Sequence, residues 1–139
     1  MVDSGSGDDT AWLCEAAGAR VLQRPFDGFR SQKQFAVEQA RHDWVLCLDA
    51  DERVSPELRA SIEAVRAAGF AGAGGYRFAR LSDYFGRFLR HGNAYPDRVL
   101  RLFDRRSGGW RGNREIHEAA SVDGPVRRLS GDLIHFPYR

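Results

Sequence analysis

Apolar positions along this chain change their period twice, and the expected elements follow from the changes. Thr10–Ala17 is a short mixed segment that Asp8 or Asp9 can cap as a helix and Gly18 can stop. Ala19–Gln23 reads as a short strand ended by Arg24-Pro25. From Ser31 to Ala40, Phe35, Ala36 and Ala40 fall on one helical face. Trp44–Leu48 is apolar without a break, the pattern of a parallel strand buried on both faces. Ser55-Pro56-Glu57 then puts a capping hydroxyl, a first-turn proline and an acid at a helix start, and Leu58, Ile62 and Val65 carry that helix to about Ala68. This half alternates helix with strand, an α/β pattern with a parallel sheet.

Beyond Ala71-Gly72-Ala73-Gly74-Gly75 the pattern becomes strand-like. A strand is expected near Tyr76–Arg80, and Asp83–Leu89 is aromatic and ambiguous. Arg98–Phe103 alternates Arg with apolar residues, Arg105–Gly109 reads as a turn, and Val126–His135 offers one or two more strands. No repeat or low-complexity stretch divides the 139 residues, so one domain is expected, with 1–70 and 71–139 as its two halves.

Composition narrows the class. The formal charge is only +2, but carboxylates dominate the first 63 residues and Arg dominates from Arg77 onward. Lys33 is the only lysine among 21 basic residues, which points to base-composition bias behind the Arg excess; no nucleic-acid partner is expected. Cys14 and Cys47 match neither a disulfide framework nor a zinc spacing, as expected in a reducing cytoplasm. No stretch approaches the ~20 apolar residues that cross a bilayer and no signal peptide opens the chain, so it is expected to be soluble or at most peripheral on a membrane.

One stretch demands chemistry. In WVLCLDADERVS (44–55) a buried strand runs into Asp49, Asp51 and Glu52. Like charges this close repel, so something positive belongs there. In an extended D-A-D the first and third side chains point the same way, and oxygen-only ligands suit Mg²⁺ or Mn²⁺ carrying a diphosphate. Ligands of open α/β sheets gather at strand carboxyl ends, where Asp3 also lies.

Six blocks come in order: VDSGSGDDT (2–10), GFRSQKQFAVEQA (28–40), DWVLCLDADERVS (43–55), YPDRVLRLFDRR (95–106), EIHE (115–118) and LIHF (133–136). Together they resemble the family 2 glycosyltransferases, specifically the branch that adds sugars to the lipopolysaccharide core, of the heptosyl β-1,4-glucosyltransferase type. That resemblance implies a GT-A-like (Rossmann-like) fold with a mainly parallel sheet flanked by helices, 1–70 being its nucleotide-sugar-binding half and 71–139 its acceptor-side half, in a cytoplasmic protein peripheral at the inner face of a bacterial inner membrane. It also implies an N-terminal truncation, since members begin with a further strand and helix. The family's T-D-G-T is here Gly7-Asp8-Asp9-Thr10, and its Q-K-N is Gln32-Lys33-Gln34.

By position the resemblance implies that Asp3 contacts the base, Lys33 the base or phosphates, Asp49 the ribose and Asp51 the metal. An ordinary turn carboxylate at Asp3 and a solvated Lys33 are the plainer alternatives. Inverting transfer needs a carboxylate base; Glu118 is the best positional match, with Asp97 second, and an ion pair with Arg is the plain reading of Glu118. His135 is a candidate late metal contact, and Arg101 can counter the departing diphosphate, with Arg98 on the opposite strand face. The expected partners are a nucleotide-diphosphate sugar and a glycolipid or oligosaccharide acceptor. A non-catalytic nucleotide-sugar-binding remnant is the main alternative. A phosphoacceptor domain of response-regulator type is a second, which the lone Lys33 disfavours.

Overall fold

The computed structural model describes residues 1–91, 94–111 and 119–137. Strands β1 (Val2–Asp3) and β2 (Leu22–Gln23) pair in parallel through the crossover helix α1 (Thr10–Ala16). Helix α2 (Phe29–Glu38) leads to β3 (Trp44–Leu46), and β4 (Glu52–Val54) to α3 (Pro56–Ala67). Then come β5 (Gly75–Tyr84), β6 (Arg87–Phe88), β7 (Asp97–Asp104), β8 (Gly108–Trp110), β9 (Ala120–Val122) and β10 (Val126–His135). The main sheet runs β3-β7-β5-β10-β4 with β6 folded back on β5, while β1-β2 and β8-β9 form separate two-stranded sheets.

The α/β class therefore holds, but the mainly parallel sheet does not. In the main sheet only β5 and β10 are parallel, and β3-β7, β5-β7, β10-β4 and β5-β6 are antiparallel. Parallel neighbours need a crossover of a dozen residues or more, usually a helix. Among the described residues no α-helix follows Ala67. The second half thus returns by hairpins and loops, and strand direction alternates.

Helix α3 starts as its sequence specifies. The Ser55 hydroxyl accepts from the Leu58 amide at 3.1 Å, Pro56 sits in the first turn and Arg66 in the last. At α1 the cap falls to Asp8, whose carboxylate accepts the Thr10 amide at 3.0 Å; the Asp9 side chain makes no capping bond.

The sheet is buried on both faces where β3 and β7 meet. On one face Leu58 of α3 joins Tyr76, Phe78, Leu102 and Leu133, with Trp44 stacked on Phe70 at 4.0 Å. On the other, Val37 of α2 joins Val45, Phe103 and Trp110. Consecutive residues of one strand, Trp44 and Val45 or Leu102 and Phe103, enter opposite cores. This explains Trp44 and Val45 without requiring parallel neighbours, whereas β3 ends at Leu46, and Leu46 and Leu48 are exposed at 37% and 45% along the cleft. β4 corresponds to no expected element. Its three residues include two charged ones, and they become a strand by pairing Val54 with Leu133 and Glu52 with His135.

Helix α3 presses on a bulge in β10 at Gly131, which has φ +92°. A Cβ there would meet the Leu58 backbone nitrogen at 2.2 Å. Gly131→Ala should lower stability by at least ~2 kcal/mol through backbone strain and overlap together. Gly86, with φ +84° and open space around it, should lose only ~1 kcal/mol in Gly86→Ala. Parallel denaturant titrations check this; equal losses would contradict the packing at Gly131.

Candidate functional site

A cleft of about 1110 Å³ lies between β1, α2 and the length of β3, continuing to Asp51 and reaching Arg101, Trp110 and His135. Asp3 stands at its β1 end and is buried. Its carboxylate accepts the Ser6 hydroxyl and the amides of Gly5 and Ser6, at 3.0 and 3.1 Å for the two amides. These bonds, the Ser6 hydroxyl foremost, hold its pKa down at about 2.

The acidic stretch is a turn, not an extended D-A-D. The Glu52 amide donates to the Asp49 carbonyl at 3.1 Å, and the Asp49 amide donates back to Glu52 Oε2 at 2.9 Å. Asp49 and Asp51 accordingly diverge instead of sharing one direction. Asp49 meets Lys33 Nζ at 3.0 Å and Arg101 Nη2 at 2.8 Å. Burial pushes the Asp49 carboxyl up, but the Arg101 charge and the Lys33 bond outweigh it and leave the pKa below the ordinary carboxylate range.

Arg101 is only 4% exposed. Its Nη2 also donates to Glu52 Oε1 at 3.0 Å, and the Glu52 side chain is wholly buried. A bulge in β7 aims it: Tyr76 pairs with Leu102 and Arg77 with Leu100, so Arg101 is the residue passed over. Arg98 is exposed, and the two guanidinium groups do not act together. Trp110 of β8 receives two cations on its ring, Lys33 at 4.8 Å and Arg101 at 5.2 Å from the centroid. Cys47 lines the cleft as a half-buried thiol whose pKa burial raises.

Asp51 points the other way, toward His135, with Oδ2 and Nε2 3.2 Å apart. Antiparallel pairing of β4 with β10 brings them together, and the Phe136 amide donates to the Asp51 carbonyl at 2.9 Å. The other ring nitrogen of His135 shares a hydrogen bond with the Ser82 hydroxyl at 3.0 Å. Among the described residues no group of three or more His, Cys, Asp and Glu side chains gathers around one point. Asp97 is engaged by Arg80, at 2.7 and 2.9 Å. Glu118 lies outside the described residues.

The structure thus unites Lys33, Asp49, Arg101, Asp51 and His135 around one cleft, with Asp3 at its far end. Sequence reasoning assigned no role to Glu52, Ser82 or Trp110. Glu52 stood inside the acidic cluster and was legible as a charge, but its partner is 49 residues away. Ser82 and Trp110 carried no local signal.

The sequence pattern of glycosyl transferase family 2 matches residues 1–121. The chain belongs to that family. It is 36% identical over 142 residues to the lipopolysaccharide core biosynthesis glycosyltransferase LpsC of Rhizobium meliloti, a match covering 98% of this chain and 52% of LpsC. Uncharacterised glycosyltransferases of Rickettsia felis and Rickettsia conorii are 44% and 46% identical over 68 residues, about half of this chain and 24% of each relative. The chain therefore spans about half the length of LpsC, and the stretch it shares with the rickettsial proteins is about a quarter of theirs. Family membership implies a GT-A-like α/β fold, here built on a mixed sheet.

The Asp3 geometry makes a titration prediction. Its folded pKa of about 2 lies below the ordinary 3.8, so the stability it contributes is present above 3.8 and is lost as pH falls through about 2. Carboxyl-carbon NMR should give Asp3 a midpoint near 2, and Ser6→Ala should raise that midpoint toward the ordinary range. A normal midpoint in the unmodified chain would show that the loop does not hold the carboxylate.

Proposed function

We propose that this chain is the donor-binding part of a metal-dependent, inverting hexosyltransferase that uses a nucleotide-diphosphate sugar and glycosylates the lipopolysaccharide core or a related surface glycan. The observation that carries the reading is the pairing of Asp51 with His135 at one cleft whose opposite wall presents Lys33 and Arg101. Family membership and the likeness to LpsC support the reaction class.

The residues present fit Mg²⁺ or Mn²⁺. Two ligands at ~2.1 Å and at right angles around one ion lie ~3 Å apart, close to the 3.2 Å between Asp51 Oδ2 and His135 Nε2. Such ions are commonly held by one or two protein groups with substrate phosphates and water completing the shell, so no three-acid cage is needed. The His135 nitrogen favours Mn²⁺ over Mg²⁺. Ser82 holds the imidazole by its other nitrogen, the usual way a ligand ring is oriented. A bound ion would supply Lewis acidity to the diphosphate.

The chain's own residues do the rest. Lys33 and Arg101 line the cleft where the departing diphosphate would lie, and a bound diphosphate would compete with Asp49 for them. Asp49, kept ionised by the same two cations, is the acceptor offered to ribose hydroxyls. Asp3 keeps its loop closed around the base. Glu118 is the proposed base, because Asp97 is already paired with Arg80. β1 pairs only with β2 and β3 only with β7 among the described residues, and both strands line the cleft. At about 1110 Å³ the cleft stands at the upper end of the ~300–1,000 Å³ typical of small-ligand pockets, roomy enough for a nucleotide-diphosphate sugar.

Asp51→Asn and His135→Gln should each abolish the metal-dependent part of nucleoside diphosphate binding in calorimetry while preserving the melting temperature. Equal binding by all forms, with and without chelator, would overturn the assignment. In the intact enzyme, Glu118→Gln should cut turnover ~10²-fold with donor affinity unchanged. If turnover survives Glu118→Gln but not Asp97→Asn, Asp97 is the base.

A further inference from the structure

The β5-β6 hairpin breaks a local rule. Asp83 pairs with Phe88 and Tyr84 with Arg87, leaving Phe85 and Gly86 as a two-residue turn. Both have positive φ, 53° and 84°, as primed type I turns require. Asn, Asp or Gly normally takes the first place, because a bulky L side chain there meets its own backbone. Here the place holds Phe85, a residue that is 85% exposed. Local rules broken at solvent-exposed positions mark function.

The surroundings state what the tip would meet. Tyr84, Phe88 and Leu89 are exposed beside it, at 38%, 44% and 44%. Arg87 and Arg90 flank them, and no acid occurs from Tyr84 to Arg90. Arg90 approaches Asp132 at 3.7 Å but keeps more than half of its side chain exposed. A protein partner needs ~800 Å² per side; a tip of three rings and a leucine offers only a few hundred Å². A lipid surface needs less: an apolar wedge and cations at headgroup level.

We propose that the hairpin tip docks the protein reversibly on an anionic lipid surface. Phe85 enters the headgroup boundary end-on, Tyr84 and its cross-strand partner Arg87 meet it from one face of the ribbon and Phe88 from the other, and Arg87 and Arg90 meet lipid phosphates. Ser82, which holds His135, precedes Phe85 by three residues on the same ribbon, a reach of ~10 Å. Docking therefore sets the Asp51–His135 end of the cleft close above the lipid. The docking stands without the transfer reading; its use, to meet a lipid-anchored acceptor, rests on that reading.

The test is co-sedimentation of the full chain with phosphatidylcholine vesicles, with and without phosphatidylglycerol, at low and high salt. Binding should need the anionic lipid and fall with salt. Phe85→Asn should weaken it about ten-fold while holding or raising the melting temperature, since Asn suits a left-handed turn position. Loss of binding with a gain of stability is something that unfolding cannot mimic. Arg87→Gln should weaken it about five-fold. Nucleoside diphosphate binding, measured alongside, should stay unchanged in both variants, which separates this proposal from the site reading. No sedimentation of the unmodified chain, equal sedimentation of Phe85→Asn, or indifference to phosphatidylglycerol would overturn it. Self-association without vesicles that Phe85→Asn abolishes would overturn it in favour of a protein contact.

Discussion

One guanidinium organises the site. Arg101, nearly wholly buried, bridges Asp49 and Glu52 through a single nitrogen, at 2.8 and 3.0 Å. Burying three charges costs several kcal/mol each before pairing, so the bridge is not there to make the fold more stable than an apolar core would. What it does is decide geometry. With Glu52 closed back on the Asp49 amide, the Asp49–Glu52 segment cannot straighten, and Asp51 is left as the carboxylate that faces outward. Two of three clustered acids are neutralised internally, and this resolves the repulsion that the sequence advertises.

The sheet arrangement follows from the same place. Arg101 reaches that turn because β7 lies beside β3 and bulges at the right residue, while the Cys47 amide donates to the Arg101 carbonyl at 2.8 Å. β4 leaves the turn antiparallel to β10 and lays Glu52 opposite His135. β5, parallel to β10, sets Ser82 opposite His135 from the other side. Four strands thus converge on one polar patch at the edge of a core led by Leu58, Phe78 and Leu133.

Legibility in the sequence tracked locality. Helices α2 and α3 were plain because their apolar spacing and the Ser55-Pro56 cap are written within a few residues. Of the run Trp44–Leu48, Trp44 and Val45 do enter the two cores, but Leu46 and Leu48 are exposed, so burial on both faces was only half legible. Strand direction was not, because an apolar run says that both faces are covered and nothing about which neighbour covers the edge; β7, antiparallel, serves as well as a parallel strand. The carboxylate at Asp51 was found through its family context, and His135 only as a late histidine. Their approach depends on β4, too short and too charged to signal itself. Asp49 and Asp51 were expected to share a direction, and the hydrogen bond that closes the turn sends them apart.

The triplet Gln32-Lys33-Gln34 shows how a short motif becomes architecture. Successive helix residues point ~100° apart, so three in a row sweep across more than half of the helix circumference. Gln32 donates to the Ser4 hydroxyl at 2.7 Å and so touches the loop that Asp3 closes. Lys33 reaches Asp49 and the Trp110 ring. Gln34 accepts the Trp110 amide at 2.9 Å and leaves no room for a Cβ at Gly109, which would lie 2.7 Å from its oxygen. The small β1-β2 sheet, the acidic turn and β8 share no ladder in the main sheet's hydrogen bonding, except that the turn joins β3 to β4. Their relative placement is set by these three side chains of α2. Where the family has Asn, Gln34 has one more methylene, and its carbonyl still finds a backbone amide.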